Sequence, residues 1–356
     1  MAPVFLCLSK GMFIMKKIRV AIVGAAGYAG EELLRILSRH PSVEIKVITS
    51  RQNAGKDISE IFPRLAGLGL KFSNPDVNEI LASCDAAFLA LPHGLAAEYA
   101  APLMNGGIPV FDISADFRLR SLDKYKEYYK VDHPAPELLK NAVYGLPERY
   151  RDQIRKTNLV ACPGCYVTSI LLPTTVLLHA GLVSTEGIIA SSLSGVSGAG
   201  RKVDLPYIFP ECNESVRAYA PAGHRHLPEI EQELAVAAGV ESLNINFVPH
   251  LIPVNRGINS TIFLNPTDKF TPDAADQAFH DAYDNETFVR YLGLGKLPDT
   301  KHVTLTNVCE IGCVYDKHTN KVILFSCIDN LTKGASGQAV QCMNIRFGLP
   351  ETEGLL

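Results

Sequence analysis

Ile18-Arg-Val-Ala-Ile-Val23-Gly24-Ala-Ala-Gly27-Tyr-Ala-Gly30 is the stretch that decides the fold. A short apolar run ends abruptly in glycine, and the segment Glu31 to His40 then carries Leu33, Leu34 and Leu37 at helical spacing. Strand, glycine turn and helix in immediate succession form the frame that a dinucleotide phosphate loop requires. Glycines permit the tight turn and let backbone N–H groups approach a pyrophosphate at the helix N-terminus. The spacing, Gly-x-x-Gly-x-x-Gly, departs from the usual Gly-x-Gly-x-x-Gly, and a glycine-rich turn without ligand is the plainer reading of the loop alone.

Outward from this loop the pattern repeats. Val43-Glu-Ile-Lys-Val-Ile-Thr49, Ala86-Ala-Phe-Leu-Ala-Leu91 and Ile108-Pro-Val-Phe-Asp-Ile113 are further strand-length runs separated by helical stretches. Such alternation predicts βαβ units and a parallel sheet buried on both faces. Beyond residue 163 the texture changes. Leu243–Val248, Gly257–Leu264, His302–Thr306 and Val322–Ile328 read as longer, alternating strands with few helices between them. The fold class is therefore an α/β Rossmann-type domain plus an α+β domain with a largely antiparallel sheet. Residues 1–14 read as an N-terminal extension, because Met15-Lys-Lys-Ile-Arg19 resembles a second natural start. Residues 15–163 with 333–356 form the first domain, the glycine-opened tail folding back on it, and residues 164–332 form the second.

The 356 residues are 47% hydrophobic and 20% charged, an ordinary globular balance that excludes a disordered or fibrous chain. A net charge of −3 removes the electrostatic basis for non-specific nucleic-acid binding. No apolar run reaches the roughly 20 residues of a membrane-spanning helix, and the N-terminus fits neither a signal nor a transit peptide. The cytoplasm is the expected compartment. Nine cysteines, odd in number and unevenly spaced, suit a reducing environment and leave at least one thiol free for chemistry.

The second strand ends in Thr49-Ser50-Arg51, with no acid where an NAD-specific site places one. A hydroxyl and a guanidinium suit a 2′-phosphate, so NADP(H) is the expected cofactor. Cys162-Pro-Gly-Cys165-Tyr-Val-Thr168 lies where the texture changes. A zinc knuckle completed by His224 and His226 is disfavoured by the x₁ spacing and by the distance in sequence, so no metal is expected. The nucleophile reading puts Cys165 at the start of the apolar helix Tyr166–Ala180, with Pro173 marking a kink or boundary. There the helix N-terminus would lower the thiol pKa. His224 and His226, flanking Arg225, are candidate proton shuttles. The remaining cysteines read as buried fillers. Ser114-Ala-Asp116-Phe-Arg118 follows a strand at the sheet's carboxyl edge, where Arg118 suits a phosphate or an ion pair equally well. Ser194-Gly-Val-Ser-Gly-Ala-Gly200-Arg201 offers clustered N–H groups to an anion or forms a plain loop. Pro249–Gly257 reads as a turn, with Arg256 a further candidate for a carboxylate.

Taken jointly and in order, these stretches resemble the N-acetyl-gamma-glutamyl-phosphate reductase family, together with Ala90-Leu-Pro-His-Gly94, Gly223-His-Arg-His226 and Lys333-Gly-Ala-Ser-Gly-Gln-Ala-Val-Gln341. The resemblance runs from about Lys16 to the C-terminus. Cys342, where the family often has Asn, and the N-terminal extension depart from it. The resemblance implies phosphate-releasing reduction of an acyl phosphate by NADPH through a cysteinyl thioester, in arginine biosynthesis. It gives catalytic roles to Cys165 and His224, and substrate roles to Ser114, Arg118, Ser194, Arg225 and Glu229. Cofactor contacts fall on Gly24, Ala25, Gly27, Tyr28, Ala29, Ser50 and Arg51, and on Gly198, Ala199, Asn330 and Gly334. The expected partners are a small acyl-phosphate substrate and further copies of the chain, as a dimer or tetramer. Two alternatives stand: an aspartate-semialdehyde dehydrogenase-like reductase of another acyl phosphate, whose nucleophile usually follows Asn, and an NADPH-binding redox regulator using Cys162 and Cys165.

Overall fold

The structure is a computed structural model that describes residues 17–201 and 203–356; the extension read over residues 1–14 lies outside the described residues. Seven strands build the first sheet: β1 (Ile18–Val23), β2 (Val43–Thr49), β3 (Phe72–Ser73), β4 (Ala86–Leu89), β5 (Val110–Asp112), β6 (Val143–Tyr144) and β7 (Leu159–Ala161). Their spatial order is β3-β2-β1-β4-β5-β7-β6, and every pair is parallel. Alternate residues of β1 serve opposite faces. Val20 and Ile22 join a core with Leu33, Leu34, Val340 and Met343, whereas Ala21 and Val23 join one with Ala97, Ala100 and Leu103. Val340 and Met343 belong to the last helix, Gly337–Phe347, so the C-terminal tail packs on this sheet.

The second sheet comprises β8 (Ile188–Ser194), β9 (Arg217–Ala218), β10 (Ile245–Leu251), β11 (Ile258–Leu264), β12 (Val289–Leu294), β13 (Cys309–Asp316) and β14 (Lys321–Ile328). It runs β12-β13-β14-β11-β8-β10-β9, with only β8/β10 and β12/β13 parallel. One face packs against the helices Cys165–His179, Leu227–Ala238 and Pro272–Tyr283. On the other face Ile189, Phe263 and Ile323 are neighbours in register, Ile189 exposed and the other two half-buried.

Three local expectations are corrected. His302–Thr306 is no strand: Asp299 caps a helical turn, Thr300–Val303, and Leu305 (φ 63) gives its N–H to buried Asp329. The apolar alternation of Val303 and Leu305 imitates a strand, but the cap and Asp329 claim the backbone. The turn read over Pro249–Gly257 begins only after Leu251, since Pro249 and His250 continue β10. Pro173 does not end its helix, which continues to His179. Twelve of that helix's fifteen residues are buried, and this packing outweighs the cost of a missing hydrogen bond, about 3 kcal/mol for a helix-interior proline.

The two halves are joined by a buried charge network. Glu32, on the helix Tyr28–Leu37 that follows the glycine loop, accepts from Arg35, from Arg256 at 2.7 Å and from Thr332 at 3.0 Å. Burial would push this carboxyl up, but the two guanidinium bonds hold it down at about 2. Arg256 also faces Asp329, which caps the turn Leu331–Thr332. Arg256 is thus committed to protein carboxylates.

Candidate active site

Cys165 is the first residue of the helix Cys165–His179, which has no side-chain cap. Its opening N–H groups are left for an anion. The loop before it is clamped at both ends. Arg118 donates through Nε to the Cys162 carbonyl at 2.7 Å and through Nη2 to the Ile113 carbonyl at 2.8 Å. Glu229 accepts from the Gly164 N–H at 3.0 Å and from the Tyr144 hydroxyl at 2.7 Å. The two clamps face each other, Arg118 Nη1 lying 3.5 Å from Glu229 Oε2. Arg118 and Glu229 are both buried. Both side chains thus hold the nucleophile loop in place.

The helix start does not by itself make a thiolate. Burial pushes the Cys165 thiol up to about 11, against the pull of the Tyr166 N–H and the Arg118 charge. The expectation of a lowered pKa is reversed because desolvation exceeds both. The histidines are likewise neutral. Burial lowers His224 to about 4, helped by the Arg225 charge, and burial with the neighbouring His224, Arg118 and Arg225 charges holds His226 well below its ordinary value. His226 sits closest to the nucleophile loop: a Cβ on Gly164 would collide with its imidazole, nearest at Nε2. Its Nδ1 is buried without a hydrogen-bond partner. His224 supports it, accepting the His226 N–H at Nδ1 (3.1 Å), and is edged by the rings of Tyr166, Tyr219 and Phe247. On the other side Gly334 closes against Cys165, as part of a π-turn Thr332–Ser336.

Of the other residues singled out, Ser114 is buried and hydrogen-bonded to Asp112 and Asp116, and the Ser194 hydroxyl donates to Gly195. Asn330 spends its amide on Ser197 and on the Gly257 N–H. Gly198 and Ala199 lie in a 3₁₀ turn, Val196–Ala199. Arg225 is exposed and meets His93, a residue to which the sequence reading gave no role. Its only signal was its place in the Ala90–Gly94 stretch. All eight described cysteines are free thiols, and Cys212 is half-buried rather than a core filler. Among the described residues no cluster of three or more His, Cys, Asp or Glu is placed to hold a metal.

The glycine loop fits a dinucleotide. Gly24 (φ 88) has its N–H on Thr49 Oγ1, and a Cβ there would collide with the Ala90 carbonyl. Ala25 is buried and gives its N–H to the Thr49 carbonyl. Gly27 caps the next helix without a side-chain bond, leaving the N–H groups of Tyr28 and Ala29 at its start. At the end of β2, Ser50 precedes Arg51, whose exposed guanidinium touches the Tyr99 hydroxyl. Beside Tyr28 a cleft of about 520 Å³ runs to Ser197, Asn255, Arg256 and Leu331; neither Cys165 nor the histidines line it. No helix among the described residues is long and apolar enough to cross a membrane.

Two family models match the chain: the NAD binding domain of semialdehyde dehydrogenases over residues 19–157, and the semialdehyde dehydrogenase dimerisation domain over residues 165–330. The chain is 53% identical over 345 residues to the N-acetyl-gamma-glutamyl-phosphate reductase of Akkermansia muciniphila, covering 96% of this chain and 99% of that protein. It is 48% identical to the protein of that name from Saccharophagus degradans, covering 95% and 98%. Among solved structures, aspartate semialdehyde dehydrogenase II from Vibrio cholerae superposes with a TM-score of 0.71 at 18% identity, over 94% of this chain and 99% of that one. The Candida albicans aspartate semialdehyde dehydrogenase with NADP gives 0.68 at 14% identity, over 92% and 98%. These last two likenesses establish the fold.

Proposed function

The chain belongs to the N-acetyl-gamma-glutamyl-phosphate reductase family, and from that premise we propose how its own residues carry the reaction. It is an NADP-dependent oxidoreductase of amino-acid biosynthesis that reduces N-acetyl-gamma-glutamyl phosphate to N-acetylglutamate semialdehyde and releases phosphate. The observation that carries the route is the seat of Cys165, an uncapped helix start with His226 against the preceding Gly164 and Gly334 against Cys165 itself.

Cys165 Sγ gives up its proton and bonds to the γ-acyl carbon, the acyl C–O bond breaks, and phosphate departs, leaving a thioester on the chain. The uncapped N–H groups at the helix start face the negative charge that develops on the carbonyl oxygen and the leaving group. NADPH, when bound, supplies the hydride that reduces the thioester carbonyl. The carbon–sulfur bond then breaks, the semialdehyde leaves, and Sγ regains a proton. The sequence reading put proton handling on His224; the nearness of His226 to Gly164 supports His226 in that role, with His224 holding its backbone. Arg118 and Glu229 keep the Cys162–Cys165 loop in place.

Residues 15–163 with 333–356 serve as the cofactor half, with Gly24, Gly27, Tyr28, Ser50 and Arg51 toward the dinucleotide. Residues 164–332 carry the nucleophile and subunit contacts. The match to a dimerisation-domain model and the half-open apolar face around Ile189 support a homo-oligomer. Phosphate-dependent NADP⁺ reduction with N-acetylglutamate semialdehyde, compared with aspartate semialdehyde, tests the assignment. Strong preference for the acetylated substrate is expected, and preference for aspartate semialdehyde would overturn it. The thioester route is tested by Cys165→Ala, which is expected to abolish turnover while NADPH binding persists.

A further inference from the structure

Arg201 follows the stretch Ser194–Gly200 and takes no part in the chemistry above. It belongs to the second half of the molecule, yet its guanidinium rests on the first. Nη2 lies 3.0 Å from Glu31 Oε2, on the helix Tyr28–Leu37 that opens at the glycine loop. Cζ stands 5.2 Å from the centre of the Tyr28 ring and 4.8 Å from that of Phe62. These partners are themselves anchored. Arg64 holds the other oxygen of Glu31, Nη2 to Oε1 at 2.9 Å, and Phe62 is buried against Phe72 in the core of the first sheet.

The contacts span the cleft beside the glycine loop. The cavity of about 520 Å³ there and a second of about 410 Å³ share Tyr28 on the first half and Ser197 and Asn255 on the second, and Arg201 lines the smaller. The 3₁₀ turn Val196–Ala199 carries Ser197. Val196 donates to the Val254 carbonyl at 2.9 Å, Ser197 to the Asn255 carbonyl at 3.1 Å, and the Asn330 amide to Ser197 Oγ at 2.9 Å, all within the second half. These bonds fix the shape of the turn but not its distance from Tyr28. Arg201, two residues beyond the turn, supplies that tie. A lone ion pair from a guanidinium 40% exposed contributes little in water. Two aromatic faces beside the same guanidinium strengthen it and make it specific, because a planar cation stacks where an ammonium does not.

A dinucleotide seated on the uncapped helix start at Tyr28 occupies this cleft, and it leaves when the two walls part. We infer that Arg201 is a positioning residue that clasps the turn Val196–Ala199 to the helix start at Tyr28, and so sets how long NADP(H) is held. The clasp acts through Glu31, Tyr28 and Phe62 rather than by touching the cofactor. This rests on the cofactor half and the Tyr28 contact given under Proposed function.

NADPH dissociation is followed in stopped flow by the fluorescence of the bound nicotinamide. Wild type is compared with Arg201→Ala, Arg201→Lys, Glu31→Gln and the double variant Arg201→Ala/Glu31→Gln. Arg201→Ala is expected to raise the dissociation rate by about tenfold, the loss of an ion pair and its aromatic contacts together. Arg201→Lys keeps the charge but not the planar stack and should recover part of that loss. Glu31→Gln should speed release in the same direction. The double variant should release no faster than Arg201→Ala alone, because both changes break one clasp. Alkylation of Cys165 by iodoacetamide in the cofactor-free variants should match wild type. An unchanged dissociation rate in Arg201→Ala would overturn the inference while leaving the cofactor in place. So would faster release in Arg201→Ala with none in Glu31→Gln, the mark of direct contact with the cofactor. Additive losses in the double variant, or altered alkylation alongside faster release, would overturn it too. A wild-type protein that binds no NADPH would overturn the cofactor reading as well.

Discussion

Gly334 stands so close to Cys165 that a Cβ added to it would lie 2.8 Å from the Cβ of the cysteine. Nothing larger than hydrogen fits between the π-turn and the nucleophile. Gly334→Ala is expected to displace Sγ and lower kcat by about 100-fold, the scale of an ångström's misplacement. Thermal unfolding and NADPH affinity serve as controls. A variant with near wild-type kcat would show that the close approach carries no catalytic weight.

The resting thiol gives a pH prediction with a definite sign. With its pKa raised to about 11, the thiolate is scarce at neutrality and grows tenfold with each unit of rising pH. Inactivation of the ligand-free enzyme by iodoacetamide should therefore climb steadily from pH 7 to beyond pH 9, without a plateau. A plateau reached below pH 8 would mean that the helix start has overcome desolvation.

The two histidines separate by substitution. His226→Asn is expected to lower kcat by about 100-fold or more, as loss of a proton carrier does. His224→Asn keeps an acceptor for the His226 N–H and should cost far less. Equal losses, or the reverse order, would return the role to His224. Because both rings are lowered below 6.5, each is neutral at pH 7 and charges only in acid. The acid limb of kcat/KM should accordingly fall below that value.

Gly24→Ala tests the cofactor cradle. Its positive φ and the Ala90 carbonyl leave no room for a methyl group. NADPH affinity, read by the fluorescence of the bound nicotinamide, should fall by about tenfold or more with the fold retained. Unchanged affinity would remove the loop from the cofactor site.

Lys333 is fully buried, 2.7 Å from the equally buried Glu148 and 2.9 Å from Gln341. Lys333→Met strands the Glu148 charge and is expected to cost about 3–5 kcal/mol in urea unfolding. The double variant with Glu148→Leu should recover much of that loss. If the single variant were as stable as wild type, the pair would carry no weight in holding the π-turn.

The sequence was legible where a residue's chemistry is declared locally. Gly24 to Gly30 announced a strand–turn–helix, and Cys165 announced itself as a thiol opening an apolar run. It was illegible where a distant partner decides. Leu305 leaves the extended conformation because Asp329 takes its N–H, and Pro173 survives inside a helix because the surrounding core holds it. Arg118 and Glu229 carry the right charges for substrate, yet the fold turns both toward the Cys162–Cys165 loop. His93 meets Arg225, 132 residues away, a contact that nothing beside either residue announces.

The tail contributes Asp329, Thr332, Gly334 and Ser336, whose hydroxyl reaches back to the Ala29 carbonyl. The helix after the glycine loop and the π-turn beside the nucleophile are thus tied together. The seat of Cys165 is therefore built by two segments far apart in the chain, the helix start that carries the thiol and the π-turn that walls it. A chain in which Thr332–Ser336 has not yet folded displays its thiol without the wall that positions it.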